Sequence, residues 1–208
     1  MDAGSLAKAF EKIQRKIEEH VELLTELDQR SGDGDLGISM REGFRAVSTV
    51  MEISEESNLG KLLIKSGNAF NEAAPSSLGT ILSFGFMGMA RTLKGMEEAS
   101  NEQVAEALRQ GISMIMEKAG SRPGERTILD AICPAVEKFS ESVDEGMDIK
   151  EALKRAKEAA SEGAEATKDM LPVHGRAAYY GEKNLGYPDG GAVVGKLIFE
   201  ALCEIKDA

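Results

Sequence analysis

The spacing of apolar residues constrains this chain most. They recur as Leu6, Phe10, Ile13, Ile17, Val21 and Leu24, at steps of four, three, four, four and three. That is one buried stripe of a helix with about 3.6 residues per turn. Ile149, Leu153, Ala156, Ala160, Ala164, Thr167 and Leu171 repeat the pattern. The same reading predicts further helices near 39–54, 58–73, 78–94, 101–118, 126–141 and 191–206. Ser57 and Asn101 stand where N-caps belong, and Pro134 should bend or interrupt its helix. No run of alternating β-branched residues reads as a strand. The expectation is an all-α chain of about eight helices forming one domain over residues 1–208, with no linker, repeat or low-complexity tract.

Composition narrows the class. With 42% apolar and 29% charged residues, the chain is neither disordered nor fibrous. No stretch of 18 uncharged apolar residues is present, so no membrane span is expected. The first residues, MDAGSLAKAFEKIQRK, lack the apolar core of a secretory signal. Cys133 and Cys203 are far apart and suggest neither a disulfide framework nor a cysteine zinc site, which fits a reducing cytoplasm. A net charge of −11 without a Lys/Arg cluster argues against nucleic acid and anionic membranes as partners.

Chemistry concentrates between the helices. Asp28-Gln-Arg-Ser-Gly-Asp33-Gly-Asp35-Leu36-Gly37 places three carboxylates within eight residues, with glycines that let the backbone turn. Converging carboxylates repel unless a hard cation neutralises them, and an all-oxygen set suits Mg²⁺ or Ca²⁺ rather than zinc. An EF-hand fails on spacing: counted from Asp33, Ile38 stands where glycine belongs and Phe44 where the bidentate Glu belongs. Mg²⁺ is the better match, and the helix expected to begin near Ile38–Ser39 adds backbone N–H groups that favour phosphate. An Asx-rich turn with solvated carboxylates explains the loop equally well at this level.

Three further islands stand out. Ser77-Leu78-Gly79-Thr80 opens a glycine-rich helix that suits either close packing or a ligand; it is not a Walker A loop. Gly120–Glu125 leads through Arg126 to Thr127, a cap or ligand contact, and to Asp130, read as a helix-start carboxylate. Residues 171–191 form a long loop with His174, Arg176, Tyr179, Tyr180 and Asp189-Gly190-Gly191, and loops of that length are usually functional or mobile. Arg176 can grip phosphate oxygens through its guanidinium. His174 and His20 do not assemble a metal site or a catalytic triad.

Taken in order, these islands resemble the nucleotide-binding L subunit of dihydroxyacetone kinase, the DhaL family. The resemblance rests on Asp28, Gly32-Asp33-Gly34-Asp35-Leu36-Gly37, Gly43-Phe44, Ser77-Leu78-Gly79-Thr80, Pro123-Gly124-Glu125-Arg126-Thr127 with Asp130, Gly175-Arg176-Ala177, Tyr180-Gly181-Glu182 and Asp189-Gly190-Gly191-Ala192. It implies an eight-helix antiparallel barrel with the nucleotide at one end. It further implies two Mg²⁺ ions held by Asp28, Asp33 and Asp35, bridging the phosphates of ADP or ATP. Nucleotide contacts would come from Leu36, Gly37, Ile38, Ser39, Ser77, Leu78, Gly79, Thr80, Gly120, Thr127, Ile128, Arg176, Asp189, Gly190 and Gly191, with Arg176 a phosphate stabiliser and the long loop a lid. Leu36 stands where the family more often has His, and Asp189-Gly190-Gly191 where it has Asp-Pro-Gly; the acidic residues are intact.

The resemblance implies a phosphotransferase subunit acting on dihydroxyacetone or a related ketose held by a separate K-type subunit. The phosphate would come from ATP or from a phosphohistidine carrier protein, and the family reading leaves room for a homodimer. Two other readings share the acidic loop: a nucleotide-loaded regulatory paralogue that signals to a partner, and a fatty acid kinase domain. The Gly-Arg-Ala and Tyr-Gly-Glu segments favour the dihydroxyacetone kinase group over the latter.

Overall fold

The computed structural model describes residues 1–205. Among them are nine α-helices: α1 (Ala3–Glu19), α2 (Val21–Gln29), α3 (Leu36–Ile53), α4 (Leu59–Ala73), α5 (Ser77–Thr92), α6 (Asn101–Ala119), α7 (Leu129–Asp144), α8 (Ile149–Ala166) and α9 (Gly190–Cys203). No strand occurs among the described residues beyond an isolated bridge between Asp2 and Glu98. Helix α1 packs on α3, each later helix packs on the next, and α9 returns to α1. Eight helices thereby close an antiparallel barrel, and α2 is an extra short helix at its end.

The apolar stripes decide which face each helix turns inward. Leu6, Phe10, Ile13 and Ile17 of α1 are buried, as are Ala152, Ala156, Ala160 and Ala164 of α8. Four phenylalanines tie the first half of the ring together. The Phe44 and Phe70 rings meet edge-on at 4.9 Å, and Phe86 lies 5.9 Å from Phe70 and 5.4 Å from Phe10. The apolar lumen, lined by residues such as Phe10, Ile13, Phe86, Ile115 and Phe199, encloses about 430 Å³.

Several local expectations are corrected. The stripe from Leu6 to Leu24 is split at His20, whose N–H turns back to the Ile17 carbonyl while its Nδ1 lies 2.8 Å from the Lys16 carbonyl. The split turns α2 across α3, where the Val21 carbonyl and Thr25 leave no room for a side chain at Gly37. The N-caps fall one residue from those expected. Asn58, not Ser57, accepts from the Lys61 N–H, and Ser100, not Asn101, forms a capping box with Gln103. Helix α7 starts at Leu129 rather than 126 because Arg126 adopts a left-handed φ of 60°. It then runs uninterrupted through Pro134. Proline has no N–H for the Asp130 carbonyl four residues back, and that carbonyl instead faces Gly163 of α8, which is pressed against it. Helix α8 gives way to a 3-10 turn at Thr167–Asp169 short of Leu171, and α9 ends at Cys203. Residue 206 of the helix expected over 191–206 lies outside the described residues.

Alternation of direction around the ring has a functional consequence. Helices α3, α5, α7 and α9 all begin at the same end of the barrel, so four N-termini and their partial positive charges gather there.

Where α5 meets α6 the backbones nearly touch. A Cβ added at Gly88 would sit 2.7 Å from the Gly111 Cα. Gly88→Ala should therefore lower stability by about 1–3 kcal/mol, measured by urea unfolding.

Candidate functional site

The acidic loop is built around Asp28. This residue lies in the last turn of α2, and its carbonyl accepts from the Ser31 and Gly32 N–H groups. Its Oδ2 accepts from the Gly34 N–H (2.8 Å) and the Asp35 N–H (3.1 Å). One carboxylate thus folds the loop back on itself. Gly34 supplies the positive φ of 77° that the turn requires, and Gly32 sits so close under Asp28 that a side chain would strike its carboxylate.

This fold-back brings Asp28, Asp33 and Asp35 together, with one carboxylate oxygen of each within 4.8 Å of the others. Asp35 occupies the N-cap position of α3, yet its side chain caps no N–H, so it remains available to the cluster. Partial burial raises its pKa, and the negative charges of Asp33 and Asp28 push it further in the same direction. Three exposed or half-buried oxygen donors in mutual repulsion fit a hard divalent cation by number, type and spacing.

A cationic side chain already answers part of this repulsion. The Arg176 Nη1 lies 2.7 Å from Asp33 Oδ2. It comes from the long loop, which is not structureless: short 3-10 turns occupy Arg176–Tyr179 and Gly181–Asn184. Arg30 of the acidic loop stacks its guanidinium 3.7 Å from the centre of the Tyr187 ring. On the opposite side, His174 Nε2 lies 2.6 Å from Glu125 Oε2, a contact that lowers the Glu125 pKa. His174 thus ties the long loop to the turn before α7.

The remaining expected site residues occupy the same end of the barrel. Leu36, Gly37, Ile38 and Ser39 form the first turn of α3, and Ile38 is half exposed. Gly190 opens α9 against Leu36, and Gly191 faces the Ile128 N–H. Thr127 and Ile128 precede α7, where the Thr127 hydroxyl accepts from the Leu129 N–H at 3.2 Å. Gly120, with φ 68°, ends α6. Ser77, Leu78, Gly79 and Thr80 form the first turn of α5, which lies opposite α9 in the ring, and Thr80 Oγ1 donates to Asn71. These segments therefore ring the barrel mouth rather than form one contact cluster.

Two buried groups carry more than the sequence indicated. Asp130 accepts from the Gly124 and Thr127 N–H groups and fixes the turn before α7; this agrees with its reading as a helix-start carboxylate. Arg126, with no role assigned from sequence, is 6% exposed and donates to the carbonyls of Thr167 and Met170, just before the long loop, and of Tyr187 within it. The neighbouring Cys133 thiol is pushed up to about 12, first by burial and then by Asp130, and so stays protonated.

Asp189 caps α9 by accepting from the Ala192 N–H at 2.8 Å. Burial pushes its carboxyl up to about 6, against the opposing pull of that N–H and of Arg126. Between the ordinary aspartate range and about pH 6 the folded state therefore holds a proton that the unfolded chain releases. Ionised Asp189 costs stability above pH 6, and the cost fades as pH falls towards the ordinary aspartate range. Asp189→Asn keeps the capping oxygen and removes the charge. It should raise stability at pH 7.5 by about 1 kcal/mol and leave it unchanged near pH 4, as read from melting temperature against pH.

A DAK2 domain model matches residues 30–204. The chain is 29% identical over 208 residues to an L-erythrulose kinase of Pectobacterium atrosepticum, covering 99% of this chain and 35% of that protein. It is 28% identical over 171 residues to the ADP-binding subunit DhaL of the PEP-dependent dihydroxyacetone kinase of Escherichia coli, covering 82% of this chain and 81% of that subunit. The crystal structure of the dihydroxyacetone kinase from C. freundii in complex with AMP-PNP and Mg²⁺ superposes with a TM-score of 0.74 at 26% identity, covering 95% of this chain and 33% of that one. The chain thus spans about a third of the erythrulose kinase but most of the DhaL subunit. With the matched model, the helical ring and the acidic loop in agreement, the chain belongs to the DAK2 domain family.

Proposed function

We propose that this chain is the nucleotide-binding part of a dihydroxyacetone kinase or related ketose kinase, holding ADP or ATP with Mg²⁺ and passing a phosphoryl group to a substrate on a separate K-type subunit. The observation that carries the reading is the convergence of Asp28, Asp33 and Asp35 at the end of the barrel where four helix N-termini gather. The relatives named as ADP-binding and as crystallised with AMP-PNP and Mg²⁺ support it.

The three aspartates would hold two Mg²⁺ ions, which when bound supply the positive charge that lets polyphosphate approach three carboxylates. The rest falls to the chain itself. The first turn of α3, whose N–H groups no side chain caps, would offer donors to phosphate oxygens, and the starts of α5 and α9 would offer those that Ser76 and Asp189 leave free. Arg176, poised on Asp33, is within reach of the same region and can grip a phosphate oxygen through its fork. The long loop is tied to the acidic loop by Arg176 and Arg30 and to the 120–128 turn by His174, which holds Arg176 beside the three carboxylates. Positioning and electrostatics, rather than a protein nucleophile, are what this constellation offers.

Calorimetric titration of the nucleotide-stripped protein with ADP should give binding that requires Mg²⁺ and is abolished by EDTA. Asp33→Asn and Asp35→Asn should each weaken it at least about tenfold while helix content stays unchanged. With ATP loaded in place of ADP, addition of a K-type subunit carrying dihydroxyacetone should permit transfer of the γ-phosphoryl group to the substrate hydroxyl, leaving ADP on this chain. Metal-independent ADP binding, or unchanged affinity in both variants, contradicts the assignment.

A further inference from the structure

Arg126 is the most deeply buried cation near the mouth, and its partners lie far along the chain. Its Nη1 donates to the Thr167 carbonyl (3.2 Å) and the Met170 carbonyl (3.0 Å), and its Nη2 to the Tyr187 carbonyl (3.0 Å). Thr167 and Met170 are where the long loop departs from α8, and Tyr187 is where it arrives at α9. One planar fork therefore grips both ends of the loop, a task for which guanidinium geometry is suited and a single ammonium is not.

The surroundings reinforce the clamp. The Gly186 N–H donates to the Lys168 carbonyl, and the Asp189 N–H donates to Thr167 Oγ1, each at 2.9 Å. Arg126 also attracts Asp189, the cap of α9. Its own backbone takes a left-handed φ of 60°, which few side chains other than Asn and Asp adopt readily. Desolvating a guanidinium is costly unless its donors are satisfied. Here two chain ends are organised around one buried charge.

We infer that Arg126 is a positioning residue: it fixes the loop bearing Arg176, and the α9 start at Asp189-Gly190-Gly191, against the Thr127-Ile128 turn, and so sets the geometry of the nucleotide clamp. The inference rests on the nucleotide-binding reading above. Arg126 does not touch Asp28, Asp33 or Asp35, so its loss should separate nucleotide binding from metal binding.

The test uses the full chain as wild type, Arg126→Gln and Arg126→Lys. Three quantities are compared: ADP affinity in Mg²⁺, affinity for Mn²⁺ alone, and the rate of chymotrypsin cleavage at Tyr179 and Tyr180. Arg126→Gln should weaken ADP binding at least about tenfold and speed cleavage, while Mn²⁺ affinity and far-UV circular dichroism stay near wild type. Arg126→Lys retains the charge without the fork, so it should fold and fall between the two in ADP affinity and cleavage rate. ADP affinity within about twofold of wild type in both variants overturns the inference, and so does parallel loss of ADP binding, Mn²⁺ binding and helix content. Wild-type protein that binds no Mg-ADP at all overturns the nucleotide reading instead; the cleavage rates then still report whether Arg126 holds the loop.

Discussion

Mutual repulsion among three carboxylates is the constraint around which this barrel mouth is arranged. Asp28, Asp33 and Asp35 would separate if the loop were free, and they are held because Asp28 accepts the backbone N–H groups of Gly34 and Asp35. The crowding draws the guanidinium of Arg176 onto Asp33, and the charges of Asp33 and Asp28 add to burial in raising the pKa of Asp35. A protein that spends helix-end geometry and two glycines on concentrating negative charge has prepared a place for positive charge.

The direction of the helices supplies the complementary half. In an up-and-down ring every second helix begins at the same end, so the acidic loop lies among four helix N-termini. Carboxylates favour cations, while exposed N–H groups favour anions, and a metal–polyphosphate satisfies both together. The long loop completes the mouth. It is attached at its base by Arg126 and along its length by Arg176, His174 and the Arg30–Tyr187 stack.

How much of this was legible in the sequence depends on how far apart the interacting residues lie. Helix periodicity is local, and most α-helices stand close to where their stripes place them. The acidic cluster was legible for the same reason, since its three members fall within one short glycine-rich loop. The break at His20 was hidden because the apolar stripe continues in register across it. The caps slipped by one residue at Ser57-Asn58 and Ser100-Asn101 because neighbouring polar residues compete for one position. Pro134 was tolerated because the carbonyl it orphans is turned towards a glycine on another helix. Arg126 was opaque in principle: its partners are carbonyls 41, 44 and 61 residues away, and carbonyls leave no trace in side-chain identity.

In the proposed site the converged aspartates hold divalent metal on which a nucleotide rests. Anomalous diffraction from crystals grown with Mn²⁺ and ADP tests it most directly. Manganese peaks should be bonded to oxygens of Asp28, Asp33 and Asp35, with the diphosphate in continuous density from them towards the first turns of α3 and α9. Nucleotide bound elsewhere, or manganese absent from these three carboxylates at saturating concentration, would contradict it.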